Sequence, residues 1–279
     1  MRRTYGDAEL AALAQRRRRD PEPLGAWARR YLGHYLALPP SPFHEWLHRR
    51  LDRLRTERGT RLNVLAPRGA AKSTWSTLAY PLYAALHGHE PYTVITSDSS
   101  DQAERFLSKI RYEVEDSPAL LADYPHAAGR PLVSQQKCVV LRNGAMIEAL
   151  GTGKKIRGRG NRQHRPSLVV IDDPQGPDHV VSATRRQRSW DWLTRDVMSA
   201  GTPGTNVVVL GTALHPEGIV NRLQVTAGWE SSVWRSVTRW PERMDLWRAW
   251  EEILHDWDRD DREAAALAYY EANREEMDR

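Results

Sequence analysis

Four side chains in this sequence have the types and spacing for phosphate chemistry. Lys72 and Ser73 are adjacent in APRGAAKST (66–74), and Asp172 and Asp173 are adjacent in RPSLVVIDDP (165–174). A lysine and a hydroxyl residue opening a helix after a loop of small residues is the pattern of a nucleotide phosphate cradle. Backbone N–H groups of such a loop converge on one point, and the helix dipole adds partial positive charge there. Gly69, Ala70 and Ala71 let the main chain approach an anion, and Thr74 continues the first helical turn. Lys72 would reach the β- and γ-phosphates, and the Ser73 hydroxyl would ligate Mg²⁺. The paired carboxylates supply the other half. Asp172 would hold Mg²⁺, and Asp173 would orient and deprotonate an attacking water. ATP and Mg²⁺ are the ligands this pattern predicts.

The loop departs from the consensus G-x-x-x-x-G-K-S/T at both glycines. Counting back from Lys72, Ala66 and Ala71 stand in their places. Alanine disfavours positive φ, so the loop is expected to do without left-handed geometry at those positions. Upstream, Phe43 and His44 in PSPFHEWL (40–47) are candidates to bracket an adenine ring. Downstream, GKKIRGRGNRQHR (153–165) holds six Lys and Arg, three glycines and no carboxylate. That composition predicts a mobile, positive loop that binds phosphate of nucleotide or nucleic acid. Thr212, in VVVLGTALHPEGI (207–219), would place a hydroxyl at a strand end, where it can sense a γ-phosphate.

The positioning elements follow from periodicity. The apolar runs at 62–65, 92–97, 168–171 and 206–213 read as buried strands of a parallel sheet. Asn143-Gly144 between alternating apolar residues predicts a hairpin of strands 137–141 and 145–150. Helices are predicted over 7–19, from Trp27 to Leu36, from Phe43 onward, from Lys72 towards Leu86, over 101–116 and over 182–199; 118–131 reads as loop. Beyond Trp229 the texture changes to acidic, Trp- and Ala-rich helices at 242–258 and 260–277. The segmentation is a basic helical arm (1–24), a core (25–228) and a helical lid or linker subdomain (229–279).

Composition sets outer limits. The 279 residues, 40% hydrophobic, suffice for one large α/β domain or two small ones. A formal charge of +5 suits a polyanionic partner. A single cysteine, Cys138, excludes an intrachain disulfide framework, as in a reducing compartment. No apolar run approaches the roughly 18 residues that span a bilayer, and the charged N-terminus lacks a signal peptide's apolar core. A soluble, intracellular protein is expected.

Taken in order, APRGAAKST, VITSDSSDQA (94–103), Ile-Arg-Gly (156–158), RPSLVVIDDP and VVVLGTALHPEGI resemble the ATPase domain of the large terminase subunit of tailed bacteriophages. The resemblance runs across roughly 25–260, and PSPFHEWL is similar to that family's adenine-binding segment. It implies an ASCE-type P-loop NTPase, with a mostly parallel sheet flanked by helices. It also implies a homo-oligomeric ring at the procapsid portal, in the host cytoplasm, with double-stranded DNA, portal protein and small terminase subunit as partners. By the same resemblance Arg68 senses nucleotide state, Gly211-Thr212 is the coupling motif, and Arg157 is a trans-acting arginine finger. Arg159 and Arg162 remain alternatives to Arg157. Asp173 stands where many members carry Glu. No carboxylate cluster matches the family's nuclease, which is expected to lie outside a chain that stops at a domain edge. Two other readings compete: a helicase-like P-loop DNA motor, and a non-hydrolysing nucleic-acid-binding assembly module with a degenerate phosphate loop.

Overall fold

The computed structural model describes residues 5–19, 21–237 and 239–278. The first four residues of the basic arm, its Asp20, Thr238 and the terminal Arg279 lie outside the described residues. The chain forms two compact units, the first ending at Trp234 and the second starting at Arg235.

In the first unit, helices α1 (Asp7–Arg19), α2 (Leu24–Leu32) and α3 (Pro42–Arg53) precede strand β1 (Arg61–Leu65). The helix opened by Lys72 passes through a wide π-helical stretch, Thr74–Ala79, into α4 (Tyr80–Leu86). There follow β2 (Tyr92–Ser97), α5 (Ser100–Asp116), α6 (Pro118–Asp123), β3 (Val133–Gln135), β4 (Cys138–Val140), β5 (Met146–Gly151) and β6 (Leu168–Asp172). Then come α7 (Pro177–Val181), α8 (Ala183–Asp191) with a π-helical extension (Trp192–Val197), β7 (Asn206–Gly211), α9 (Ile219–Gln224) and β8 (Glu230–Val233).

All eight strands form one sheet in the order β3-β4-β5-β2-β6-β7-β1-β8. The six from β5 to β8 in that order run parallel; β3 and β4 add an antiparallel edge. Side chains alternate across a pleated strand, so each strand feeds two cores. Leu62, Val64, Leu168, Val170, Val208 and Leu210 enter one; Leu65, Val94, Val169, Ile171, Val207 and Val209 enter the other. Helices cover both faces, which is why the strands read as continuous apolar runs. This is the expected α/β architecture of a P-loop NTPase. The strand carrying Gly211 lies between β1 and β6, so the phosphate loop and the twin aspartates emerge from strands one place apart.

Several expectations need correction. Residues 118–131 are not all loop: Pro118 opens α6 in the first turn, where its missing N–H costs nothing. The second helix ends at Leu32, followed by a single 3₁₀ turn. The boundary at 228/229 falls one strand early. β8 pairs with β1, and Glu230 receives two hydrogen bonds from the Arg50 guanidinium (2.8 and 2.6 Å), which ties that strand to α3.

The second unit contains α10 (Met244–Leu254) and α11 (Arg262–Met277). Trp247 lies 5.8 Å from Trp250 and 6.0 Å from Tyr270, ring to ring, and its indole N–H donates to the Met277 carbonyl at 2.8 Å.

Candidate nucleotide site

The ends of β1, β2, β6 and β7 place a cleft of about 400 Å³ at the carboxyl edge of the sheet, lined by Arg68, Ser73, Asp98, Asp172, Asp173 and Gln175 among others. Open parallel sheets bind ligands at this edge. The loop after β1 turns through two left-handed residues, Gly69 (φ +77°) and Ala71 (φ +49°). The second contradicts the expectation that alanine would keep position 71 out of that region. A non-glycine residue there carries strain of about 1–2 kcal/mol. The turn must reverse direction before Lys72 starts the helix, and hydrogen bonds from Lys72 to the Pro67 carbonyl and from His44 to the Ala70 carbonyl hold it. Ala66 is buried at the end of β1, and its N–H donates to the Gly211 carbonyl at 3.2 Å. Among the described residues, no hydrogen bond uses the backbone N–H of Gly69, Ala70 or Ala71. These donors are free for an anion.

Ser73 and Asp172 meet directly: the hydroxyl donates to Asp172 Oδ2 at 2.7 Å. Asp172 is 3% exposed, and its Oδ1 is buried without a partner. Burial pushes its carboxyl up to about 7; the Ser73 hydrogen bond opposes the rise, the neighbouring Asp173 adds to it, Lys72 opposes it and Asp98 adds to it. An orphaned oxygen on a desolvated carboxylate, beside a hydroxyl, fits a cation. Among the described residues no group of three or more His, Cys, Asp or Glu side chains gathers to hold a metal. One carboxylate and one hydroxyl suit Mg²⁺, which takes few protein ligands and completes its shell with water and phosphate oxygens.

Lys72 is buried, with its ammonium donating to the Pro67 carbonyl at 2.9 Å and to Thr212 Oγ1 at 3.4 Å. Asp173 has a left-handed backbone (φ +43°), which aspartate tolerates better than most residues. Its N–H donates to the Leu210 carbonyl at 2.8 Å, and its Oδ1 accepts the Thr212 N–H at 3.1 Å. Thr212 therefore links the two halves of the site. Asp173 keeps its second oxygen for another partner. The π-helical stretch after Ser73 is braced by hydroxyls: Ser76 and Thr77 donate to the Lys72 and Ser73 carbonyls at 2.9 and 2.6 Å. Such widened turns recur at functional sites.

Beside the loop lies a second pocket, about 310 Å³ and mainly apolar, walled by Tyr35, Leu36, Leu38, His44, Ala71 and Trp75 among others. His44 belongs to it. The Ser41 N–H donates to its Nδ1 at 3.1 Å, so Nε2 carries the proton and donates to the Ala70 carbonyl at 2.9 Å. Phe43 does not belong to it. It is buried in the core with its ring 5.4 Å from Trp234, because one position along α3 turns a side chain by about 100°.

The basic segment is divided rather than free. Ile156 is fully buried, and the Trp192 indole donates to the Lys154 carbonyl at 2.9 Å. Arg159 pairs with Glu148, which also accepts the Tyr92 hydroxyl at 2.5 Å. Arg162 lies near Gly144, at the opposite edge of the sheet from the cleft. Arg157 and Arg162 are both exposed, and Arg157 has a 4.0 Å contact to Asp196. Arg157 does not line the cleft of its own chain.

Asp98 and Gln175 were not anticipated as cleft residues. Asp98 directly follows a buried strand, the same position that draws attention to Asp172. Gln175 accepts the Ile219 N–H through Oε1 at 2.7 Å, leaving its buried Nε2 without a partner; no local pattern distinguishes it.

The eight-stranded, mostly parallel sheet with helices on both faces has the fold of P-loop NTPases. No protein-family model and no curated protein matches the sequence. Among solved structures, the chain is similar to the large terminase of bacteriophage HK97, with a TM-score of 0.51 and 14% identity over 85% of this chain and 48% of that one. It thus spans about half the length of that protein. It also aligns with the large terminase ATPase domain of Thermus phage P74-26, with 15% identity, a TM-score of 0.44, and coverage of 86% of this chain and 99% of that one. The fold resembles that of a bacteriophage large terminase. No helix among the described residues is long and apolar enough to cross a membrane.

Proposed function

We propose that this chain is the ATP-hydrolysing motor domain of a viral DNA-packaging terminase. The observation that carries the reading is the Ser73–Asp172 contact with its orphaned carboxylate oxygen, set beside a loop of unused backbone N–H groups. The triphosphate would lie over Gly69–Ser73, with the base in the apolar pocket against His44. Mg²⁺ held by Ser73 and Asp172 would neutralise charge on the phosphates. Lys72 would exchange Pro67 and Thr212 for phosphate oxygens. Releasing Thr212 would register nucleotide state on β7. Asp173, anchored through one oxygen, would hold the attacking water with the other, and Arg68 would face the cleft mouth.

Among the described residues Arg68 is the one arginine that lines the cleft, and Arg157 is exposed outside it. We assign Arg157 to a neighbour's site in a ring, with double-stranded DNA, portal and small terminase subunit as partners at the procapsid. The two-helix unit after Trp234 would serve as lid or linker. Arginine fingers contribute about 10³–10⁵ in rate, so a dilute monomer should be nearly inactive. The test is steady-state ATPase activity against protein concentration, with and without duplex DNA. Specific activity should rise with concentration, and Lys72→Ala should abolish it without changing the melting temperature in the absence of nucleotide. Hydrolysis that survives Lys72→Ala would overturn the site.

A further inference from the structure

Two basic stretches, some 140 residues apart in sequence, converge on one cavity far from the nucleotide cleft. Helix α1 ends in four consecutive arginines, and residues 161–164 close the basic segment. Together they line a cavity of about 460 Å³ at the amino-terminal ends of β2 and β5. The nucleotide cleft lies at the carboxyl end of β2, about 17 Å away along a six-residue strand. Among the described residues no aspartate or glutamate lines the cavity. Its polar walls include Arg18, Arg162, Gln15, Asn143, Gln163 and His164.

Two of the other cations of these stretches are engaged elsewhere. Arg17 lies over the Tyr124 ring at 4.8 Å, and Arg159 pairs with Glu148. Arg18 and Arg162 have no ion pair among the described residues. Two exposed guanidinium groups on the walls of one cavity raise the positive potential there and attract an anion. The second arm is built rather than loose. Backbone hydrogen bonds link Asn161 and His164 in both directions at 2.9 Å, and the Asn161 amide donates to the Pro91 and Gly144 carbonyls at 3.0 and 2.9 Å. Arg162 is held between them in a left-handed conformation (φ +52°), a strained state that persists only where the surroundings impose it.

We propose that this cavity is a binding site for backbone phosphates of DNA, with Arg18 and Arg162 as its two phosphate ligands. Arg16 and Arg19 are also exposed on α1 and add to the positive charge at this end of the helix. The inference shares its DNA partner with the reading above but not its cleft, and its test requires no hydrolysis.

The experiment measures binding of a fluorescent duplex to the full chain across a salt series. It compares Arg18→Ala, Arg162→Gly and the double variant with wild type; glycine at 162 keeps the left-handed backbone without strain. Arg105→Ala, an exposed arginine on α5, removes the same charge elsewhere and is the control. Each phosphate contact contributes about 0.9 to the slope of log affinity against log salt. Each single variant should therefore bind roughly eightfold more weakly near 0.1 M salt, and the double variant should lose nearly two from the slope. Arg105→Ala should change affinity less than twofold. Wild-type slopes in both cavity variants, at unchanged melting temperature, would overturn the proposal. So would loss of inorganic pyrophosphate binding with DNA binding intact, which would make the cavity a site for free polyphosphate. Lys72→Ala separates the two readings: it should keep the wild-type DNA slope while losing ATP hydrolysis.

Discussion

Replacing Ala71 by glycine should raise the stability of the protein. Ala71 sits at φ +49°, where an L side chain costs about 1–2 kcal/mol and glycine costs almost nothing. Glycine also gives the unfolded chain more freedom, which returns about 0.4–1 kcal/mol of that gain. The net stabilisation is therefore about 0.5–1 kcal/mol. For a cooperative unit of this size that raises the melting temperature by roughly 1–3 °C. Gly69 provides the mirror experiment. It sits at φ +77°, and a Cβ built there meets nothing within 4 Å. Gly69→Ala is thus a conformational change without a clash, and should lower stability by a similar 0.5–1 kcal/mol. Scanning calorimetry in nucleotide-free buffer reads both. If Ala71→Gly destabilises the protein, or Gly69→Ala leaves it unchanged, the loop does not turn through those two residues and the cradle has a different shape.

Two further outcomes follow from side-chain environments. Arg159→Ala should destabilise the fold by about 2 kcal/mol, because it strands the buried Glu148 on β5; the partial exposure of Arg159 keeps the loss below that of a fully buried pair. Arg157→Ala should stay within about 0.5 kcal/mol of wild type and bind nucleotide normally while losing concentration-dependent hydrolysis; chemical denaturation and nucleotide titration distinguish the two. His87 is buried among Trp27, Tyr83 and Tyr124, and burial lowers its pKa to about 3. Its folded value lies below the unfolded one of about 6.5, so its contribution is complete above pH 6.5 and is lost as pH falls towards 3. The full loss is on the order of 5 kcal/mol. His87→Gln should make the acid limb of the stability curve shallower by about one proton, as read by urea denaturation between pH 6.5 and 4; an unchanged slope would mean the ring is solvated.

Much of the frame was legible because it is local. β-branched runs bounded by loops specify strands, and Asn143-Gly144 specifies a tight hairpin. A Lys-Ser pair after small residues, and two aspartates after an apolar run, each mark a strand end. Once all these strands join one parallel sheet, the groups necessarily share an edge. The left-handed turn at Ala71 was not legible, since residue preference argues against it and the hydrogen bonds that hold the loop come from side chains outside it or at its end.

The sequence by itself determined the α/β class, the strand ends that face the cleft and the residue types gathered there, because nearest-neighbour sterics and burial periodicity act within a few residues. Only the tertiary structure decided what the long side chains meet. It sent Phe43 into the core while His44 joined the pocket, spent Arg159 on Glu148, left Arg157 exposed, and set Arg18 and Arg162 on the walls of one cavity. The physical reason is reach: a guanidinium or an aromatic ring takes its partner from whatever strand or helix the chain's crossings carry past it, and strand order is set by the whole sheet rather than by any stretch of it.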